Sequence, residues 1–261
     1  MSEQLLEKLL HSKKYQDICP DTVRRIFHEC LGKYKKAKDA EKAAREQLHG
    51  ITDAFLSREE AARCSADMLA WNSEGRTDAG LTRMLERHAS TRERLPLARM
   101  DDTYRRIFEI TGRPESVLDL ACGLNPIYLA ARGIRTVGVD ISGQAVNTLN
   151  AFGEVSETPA SAVCADLLCE NGMPQNRFHI ALLFKILPLL ERQKAGSALQ
   201  IMQAVNAEYL VASFPTRTLG GRNVGMAENY ARWMQDHLPE NREIAASFET
   251  ENELFYILKE K

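Results

Sequence analysis

Three aspartates stand in or at the ends of short β-rich runs: Asp119 in the first, Asp140 closing the second, Asp166 closing the third. A turn leaving a buried parallel strand is where α/β sheets hold nucleotide-like ligands. The first such turn reads Leu118-Asp119-Leu120-Ala121-Cys122-Gly123-Leu124-Asn125-Pro126. Gly123 lets the backbone approach a ligand, and Pro126 suits the first turn of the next helix. The single glycine does not make the G-x-G-x-x-G pattern that cradles a pyrophosphate, which disfavours NAD and FAD. Asp140 lies 17 residues beyond Gly123, where a carboxylate accepts from both ribose hydroxyls. Asp166-Leu167 suits an adenine edge, the carboxylate accepting from the exocyclic amine while the leucine covers the ring. Either aspartate alone would serve as a strand end or helix cap. Both at successive strand ends favour a nucleoside without phosphates, such as S-adenosylmethionine.

That ligand's carboxylate calls for an arginine. In His88-Ala89-Ser90-Thr91-Arg92-Glu93-Arg94-Leu95, Ser90 and Glu93 read as a capping box. Pro96 interrupts that helix early and places Arg94 at an irregular turn near the ligand end; an exposed structural arginine fits the same spacing. Two later segments end strands: Phe184-Lys185-Ile186-Leu187-Pro188 and Phe214-Pro215-Thr216-Arg217-Thr218-Leu219-Gly220-Gly221-Arg222. The second combines an aromatic that can stack on a base, two arginines and a Gly-Gly turn, as expected where a splayed-out nucleotide is held. Its alternative is a surface loop with incidental arginines. Lys185 interrupts an apolar strand end and needs a partner, for which Asp119 or Asp140 would serve. Cys122 reads as a packing residue.

The elements that must position these groups follow from periodicity. From Ser116 the chain alternates strand (Val117 to Ala121), helix (Ile127 to Arg132), strand (Thr136 to Ile141), helix (Gly143 to Phe152) and strands (Ala160 to Asp166, His179 to Lys185), the order of a parallel βαβ sheet. A helix from Leu189 to Val205, a strand from Tyr209 to Phe214, a helix from Met226 to His237 and a closing hairpin (Ile244 to Thr250, Leu254 to Leu258) follow. Before residue 110 the periodicity is helical, with three or four helices expected, one from Pro20 to Tyr34, one from Asp39 to Leu56 and one opened by the capping box Ser57-x-x-Glu60. The composition shift places a boundary between residues 1–110 and 111–261.

At 261 residues, 44% hydrophobic and 27% charged, the chain can bury a substantial core, which excludes disorder and coiled coil. The net charge of −2 advertises no global affinity for nucleic acid. Its distribution is uneven: residues 1–113 carry 22 Lys/Arg against 19 Asp/Glu, and the remainder 12 against 17. Arg24, Arg25, Lys33, Lys35, Lys36, Lys38, Lys42 and Arg45 face only Glu29, Asp39 and Glu41, a stripe that could grip phosphates or simply be a solvated helix face. Six cysteines without a CxxC pair or partnered histidines read as reduced thiols and predict no metal. Residues 1–10 lack a signal peptide's apolar stretch, and the run Ile180–Leu190 is too short for a membrane span and is broken by Lys185 and Pro188, so a cytoplasmic protein without membrane contact is expected.

Seven segments together resemble the Arm/Rmt-type aminoglycoside-resistance 16S rRNA guanine-N7 methyltransferases: Ser12 to Tyr15, Cys19 to Arg25, Leu48 to Gly50, His88 to Leu95, Leu118 to Pro126, Leu187 to Gln193 and Ser213 to Arg222. The resemblance covers nearly the whole chain. It implies a class I SAM-dependent methyltransferase fold, a Rossmann-like, seven-stranded, mostly parallel sheet, with an N-terminal helical RNA-binding domain. It also implies methylation of N7 of guanosine 1405 in the decoding site of the assembled 30S subunit, conferring aminoglycoside resistance. A monomer is expected. By position it implies cofactor contacts at Phe55, His88, Ala89, Ser90, Arg94, Ala121, Asp140, Asp166, Leu167, Phe184 and Gln193, beside the Gly123 turn. Phosphate contacts are expected from Lys13, Lys14, Arg24, Arg25, Lys35, Lys36, Lys38, Arg45 and His49. In the active site Phe214 is expected to stack on the extruded guanine, Arg217 or Arg222 to hold its phosphate or edge, and Lys185 to set the pocket's polarity. The alternatives are an adenine-N1 methyltransferase at the same site, a small-molecule methyltransferase and a non-enzymatic RNA-binding protein. A small-molecule enzyme needs no basic module of a hundred residues, and a mere binder has no use for Asp140, Asp166 and Arg94.

Overall fold

The computed structural model describes residues 2–52, 56–216 and 225–261. Helices fill the first part: α1 (Ser2–Leu10), α2 (Pro20–Lys33), α3 (Ala37–Thr52), α4 (Arg58–Ser73), α5 (Asp78–Glu86), α6 (Ala89–Arg92) and α7 (Leu97–Thr111). The second part runs β1 (Ser116–Leu120), α8 (Asn125–Ala131), β2 (Arg135–Asp140), α9 (Gly143–Ser156), β3 (Ala160–Cys164), β4 (Phe178–Phe184), α10 (Leu187–Gln193), α11 (Ser197–Ala204), β5 (Ala207–Pro215), α12 (Met226–Asp236), β6 (Arg242–Glu249) and β7 (Glu253–Glu260). One sheet results, in the order β3-β2-β1-β4-β5-β7-β6. Its first five strands are parallel, and β7 returns antiparallel to both β5 and β6, the expected hairpin. The order reverses between β1 and β4, which opens a crevice at their carboxyl ends.

Strand alternation sends neighbouring residues to opposite faces. Val117, Ile180, Leu182, Val211 and Ile257 join a cluster with α4, α5, α7, α8 and α9. Leu118, Ala181, Leu183, Leu210, Ala212 and Leu258 join another with α10, α11 and α12. Both faces are covered, so the central strands are largely apolar. A third cluster, with Tyr15, Phe27 and Leu48, holds α1–α3 together. The apolar cores therefore divide after α3, whereas the composition shifts near residue 110: α4–α7 pack into the sheet's own core.

The α1–α3 unit is seated by backbone contacts. Ile18 bridges Ser142, Cys19 N donates to Ile141 O (2.7 Å) and Gly143 N to Asp17 O (2.7 Å). A Cβ at Gly143 would stand 2.9 Å from that same Asp17 oxygen, so the joint needs glycine. Asp17 also accepts from Arg58 (2.7 Å) and Gln144 (2.9 Å).

The first part holds more helices than periodicity suggested, because α1, α5 and α6 are nine residues or fewer. Ser57 caps α4 as expected, its hydroxyl accepting from Glu60 N (3.2 Å). The second capping box does not form. His88 caps α6 instead, with Nδ1 accepting from Ser90 N (3.3 Å), and Pro96 becomes the N-cap of α7. The single helix expected over Leu189–Val205 is two: Gly196, at φ 80°, breaks it, and Glu191 caps α11 by accepting from Gly196 N (2.6 Å) and Ala198 N (3.1 Å).

Candidate cofactor cleft and active site

A cleft of about 610 Å³ opens at the carboxyl ends of β1, β2, β4 and β5, between them and the end of α3. Its floor is the turn after β1, where Ala121 (φ 56°) and Gly123 (φ 51°) are left-handed. Gly123 N donates to Asp140 Oδ2 (2.8 Å) and Ser142 N to Oδ1 (2.8 Å), so both carboxylate oxygens are fixed by backbone and keep lone pairs for a ligand. A Cβ at Gly123 would overlap the His88 imidazole, which packs on the turn. Burial, with Arg94 and Arg92 nearby, pushes the His88 pKa down to about 4, so the ring is neutral at physiological pH. Its Nδ1 lies 2.8 Å from Ser90 Oγ.

A buried charge array forms the opposite wall. Arg94 lies over the Phe184 ring (4.8 Å) and meets Glu253 through two bonds, Nε to Oε1 (2.8 Å) and Nη2 to Oε2 (3.2 Å). This side-on pairing leaves Nη1 with no hydrogen-bond partner among the described residues. Glu253 also accepts from Ser213 Oγ (2.7 Å) and faces Lys185 Nζ at 3.4 Å. Burial raises the Glu253 pKa, but Arg94 and Lys185 outweigh it and hold the carboxyl below its ordinary value. Lys185, left-handed at φ 57°, donates to Glu93 Oε2 (2.8 Å). Asp119, in β1, is buried and accepts from the Asn125 amide at 2.6 Å. Burial raises its pKa to about 7 despite Asn125 and Arg94.

Residues 11–257 match the family model for ribosomal RNA methyltransferase (FmrO). The chain belongs to this rRNA methyltransferase family. It is 41% identical over 255 residues to a 16S rRNA (guanine(1405)-N(7))-methyltransferase of Serratia marcescens, covering 97% of this chain and 96% of that protein. A protein of the same description from Frankia casuarinae is 32% identical, with 98% and 93% covered. Among solved structures, the 16S rRNA methyltransferase RmtF in complex with S-adenosyl-L-homocysteine superposes with a TM-score of 0.90 at 42% identity, covering 100% of this chain and 98% of that one. The 16S rRNA methylase RmtB gives 0.86 at 37%, covering 100% and 99%. The sheet is thus the class I methyltransferase fold expected from the sequence.

On this rRNA methyltransferase scaffold, His88, Ser90, Arg94, Ala121, Asp140, Phe184, Lys185 and Gln193 all line the cleft. Gly123 underlies it through Asp140, and Ala89 opens α6 beside it. Leu167 packs into the cluster with α10–α12, and Asp166 is only 4% exposed, paired with Arg25 and capping Leu168 N (2.9 Å). Phe55, Arg217 and Arg222 lie outside the described residues.

Several expectations need correction. Phe214 is fully buried, stacked on Tyr230 (4.8 Å) and packed edge-on against Trp233 and Tyr256. It continues β5 on the face of Leu210 and Ala212, so it cannot stack on a base. Lys185 pairs with Glu93 and Glu253, not Asp119 or Asp140. Arg25 is turned inward and only 12% exposed, so it is not a phosphate contact. The other basic residues are at the surface. Arg24 pairs with Asp21 (3.0 Å), Arg45 with Glu41 (2.8 Å), and Lys14 Nζ lies 3.1 Å from His49 Nδ1; Lys13 is exposed, as are Lys35, Lys36 and Lys38 at the α2–α3 turn. Glu93, Glu253 and Asn125 were missed. The one sequence signal for Glu253 is a carboxylate opening a strand that is apolar from Leu254 to Leu258.

Among the described residues no helix is long and apolar enough to cross a membrane, and no group of three or more His, Cys, Asp or Glu could hold a metal ion. The cysteines are free thiols.

Proposed function

We propose that the chain methylates N7 of guanosine 1405 of 16S rRNA in the assembled 30S subunit, as a cytoplasmic monomer using S-adenosylmethionine, and thereby confers aminoglycoside resistance. The observation that carries the cofactor assignment is Asp140 with both oxygens braced by backbone N–H groups in the cleft that also holds Arg94. The braced carboxylate suits a ribose diol, Nη1 of Arg94 suits the amino-acid carboxylate, and the cleft's volume is within the roughly 300–1,000 Å³ of small-molecule sites. The substrate assignment is supported by the activity that the relatives share, at coverage of nearly the whole chain. Residues 1–110 serve as the docking segment, with α1–α3 presenting Lys13, Lys14, Arg24, Lys35, Lys36, Lys38, Arg45 and His49 to phosphates. Arg217 or Arg222, which follow β5 in the sequence, are assigned to hold the guanine's phosphate or edge.

When bound, S-adenosylmethionine supplies a sulfonium methyl group that guanine N7 takes with its in-plane lone pair, leaving S-adenosylhomocysteine. No proton leaves N7, so this chain's residues act by orientation. Arg94, held by Glu253 and stacked on Phe184, would hold the amino-acid end of the cofactor and Asp140 its ribose. Lys185, tethered to Glu93 and Glu253, keeps the cleft mouth polar without serving as a base.

Asp119 gives this a pH test. With its pKa near 7, it would gain its carboxylate form as pH rises through neutrality, and a rate depending on it as a base would climb over that range. We expect kcat at saturating cofactor and 30S to stay flat from about pH 6.5 to 8.5, for wild type and for Asp119→Asn alike. A profile that Asp119→Asn abolishes, with S-adenosylhomocysteine binding intact, would count against the mechanism.

The function itself is tested with radiolabelled S-adenosylmethionine and purified 30S subunits, free 16S rRNA or an aminoglycoside. Label should enter 30S at guanine N7, located by mass spectrometry. Unlabelled 30S overturns the assignment. Label on an adenine N1 or on the drug gives the activity to one of the alternative methyltransferase classes.

A further inference from the structure

Arg25 lies on α2, which belongs to the α1–α3 unit, yet two of its three guanidinium nitrogens donate to the sheet's side of the joint. Nε donates to Asp166 Oδ2 (2.9 Å), Nη2 to Gln193 Oε1 (3.0 Å) and Nη1 to Glu29 Oε1 (3.1 Å). Asp166 stands just after β3 and Gln193 ends α10, which follows β4. One side chain from the N-terminal unit therefore ties together two walls that come from strands on opposite sides of β1.

The chemistry of this tie is directional. Arginine only donates, so Gln193 must turn its oxygen to Arg25, and the amide nitrogen is what it has left for the cleft it lines. The other oxygen of Asp166 holds the following turn through Leu168 N. We infer that Arg25 is a positioning residue for the adenine end of the cleft: it sets the Gln193 amide as a donor toward a ring-nitrogen acceptor and braces the Asp166 turn. Cofactor affinity thereby depends on how α2 is seated. This rests on the proposed reading of the cleft as an S-adenosylmethionine site. A salt bridge that merely staples two units together would use Asp166 and would have no need of Gln193.

The test uses the full chain, with S-adenosylhomocysteine affinity by calorimetry, thermal melting, and initial rates on 30S subunits. Arg25→Ala should weaken affinity about tenfold, the scale of losing hydrogen bonds to a charged group. It should raise KM for S-adenosylmethionine with kcat at saturation little changed. Arg25→Lys, which keeps the charge but not the planar fork, should restore only part of the loss. Arg25→Ala combined with Gln193→Ala should be no worse than the stronger single variant. Gln193→Glu provides the arm that does not disturb Arg25: its carboxylate still accepts from the guanidinium but offers the cleft no N–H, so affinity should fall while the melting temperature holds. If wild type binds the ligand and Arg25→Ala and Gln193→Glu bind it equally well, the inference is wrong. The same holds if KM and kcat losses simply track a lower melting temperature. If wild type itself fails to bind, the cofactor assignment fails instead.

Discussion

Gly123→Ala should weaken S-adenosylhomocysteine binding by about 100-fold or more while the chain still folds. Two effects act together. An L-residue at φ 51° costs about 1–2 kcal/mol in the left-handed region. The added methyl also overlaps the His88 ring, which is 5% exposed and, as the N-cap of α6, cannot swing away without disturbing that helix. Relief comes from moving the turn, and that breaks the Gly123 N bond to Asp140 Oδ2 that fixes the carboxylate proposed to hold the ribose. Stability should fall modestly, by a few degrees in melting temperature, since about 1 kcal/mol moves a chain of this size by roughly 2–4 °C or less. Calorimetry separates the two effects. Adding His88→Ala makes room for the methyl, so the double variant should recover part of the affinity if the clash dominates and none if φ strain does. Undiminished binding by Gly123→Ala would show that Asp140 does not need this turn.

The parts of this architecture that depend on near neighbours were legible in the sequence. Alternation of apolar runs with helical periods gave the parallel sheet, and a carboxylate closing the second run gave Asp140. What escaped depends on chain segments far apart. Arg94 and Glu253 are 159 positions apart and meet only because β7 returns beside β5. Arg25 has the pattern of any exposed basic residue on an amphipathic helix; only the docking of α2 against the turn after β3 turns it inward. Phe214 departs from expectation for a local reason. Treating it as the last residue of its strand made it the start of a loop, whereas β5 continues to Pro215 and alternation commits the ring to the core. The break at Gly196 shows the same limit: the apolar spacing runs through it, and glycine's left-handed backbone ends the helix all the same.

Simultaneous reversal of Lys35, Lys36 and Lys38 to glutamate should weaken 30S binding by about 100-fold or more near 0.1 M salt without changing S-adenosylhomocysteine affinity. These ammonium groups are exposed at the α2–α3 turn and form no ion pair among the described residues, so their reversal breaks no ion pair there. The basic residues with carboxylate partners, Arg24 with Asp21 and Arg45 with Glu41, must give up or share those partners to meet a phosphate and should matter less singly. Each phosphate contact releases counterions, so log affinity falls with log salt by roughly 0.7–0.9 per contact. Loss of three contacts should flatten that slope by about 2–3, and the two proteins should converge as salt rises. The turn and the cleft are joined by α3, whose Gly50 and Ile51 line the cleft. At 1.5 Å per residue the helix puts roughly 20 Å between Ala37 and Gly50, beyond the Debye length of about 8 Å in physiological salt, so the reversed charges should not be felt by the cofactor. Equal loss of 30S and cofactor binding would instead mean that the lysines hold the fold. An unchanged salt slope with weakened 30S binding would mean that the turn meets ribosomal protein or bases, not the phosphate backbone.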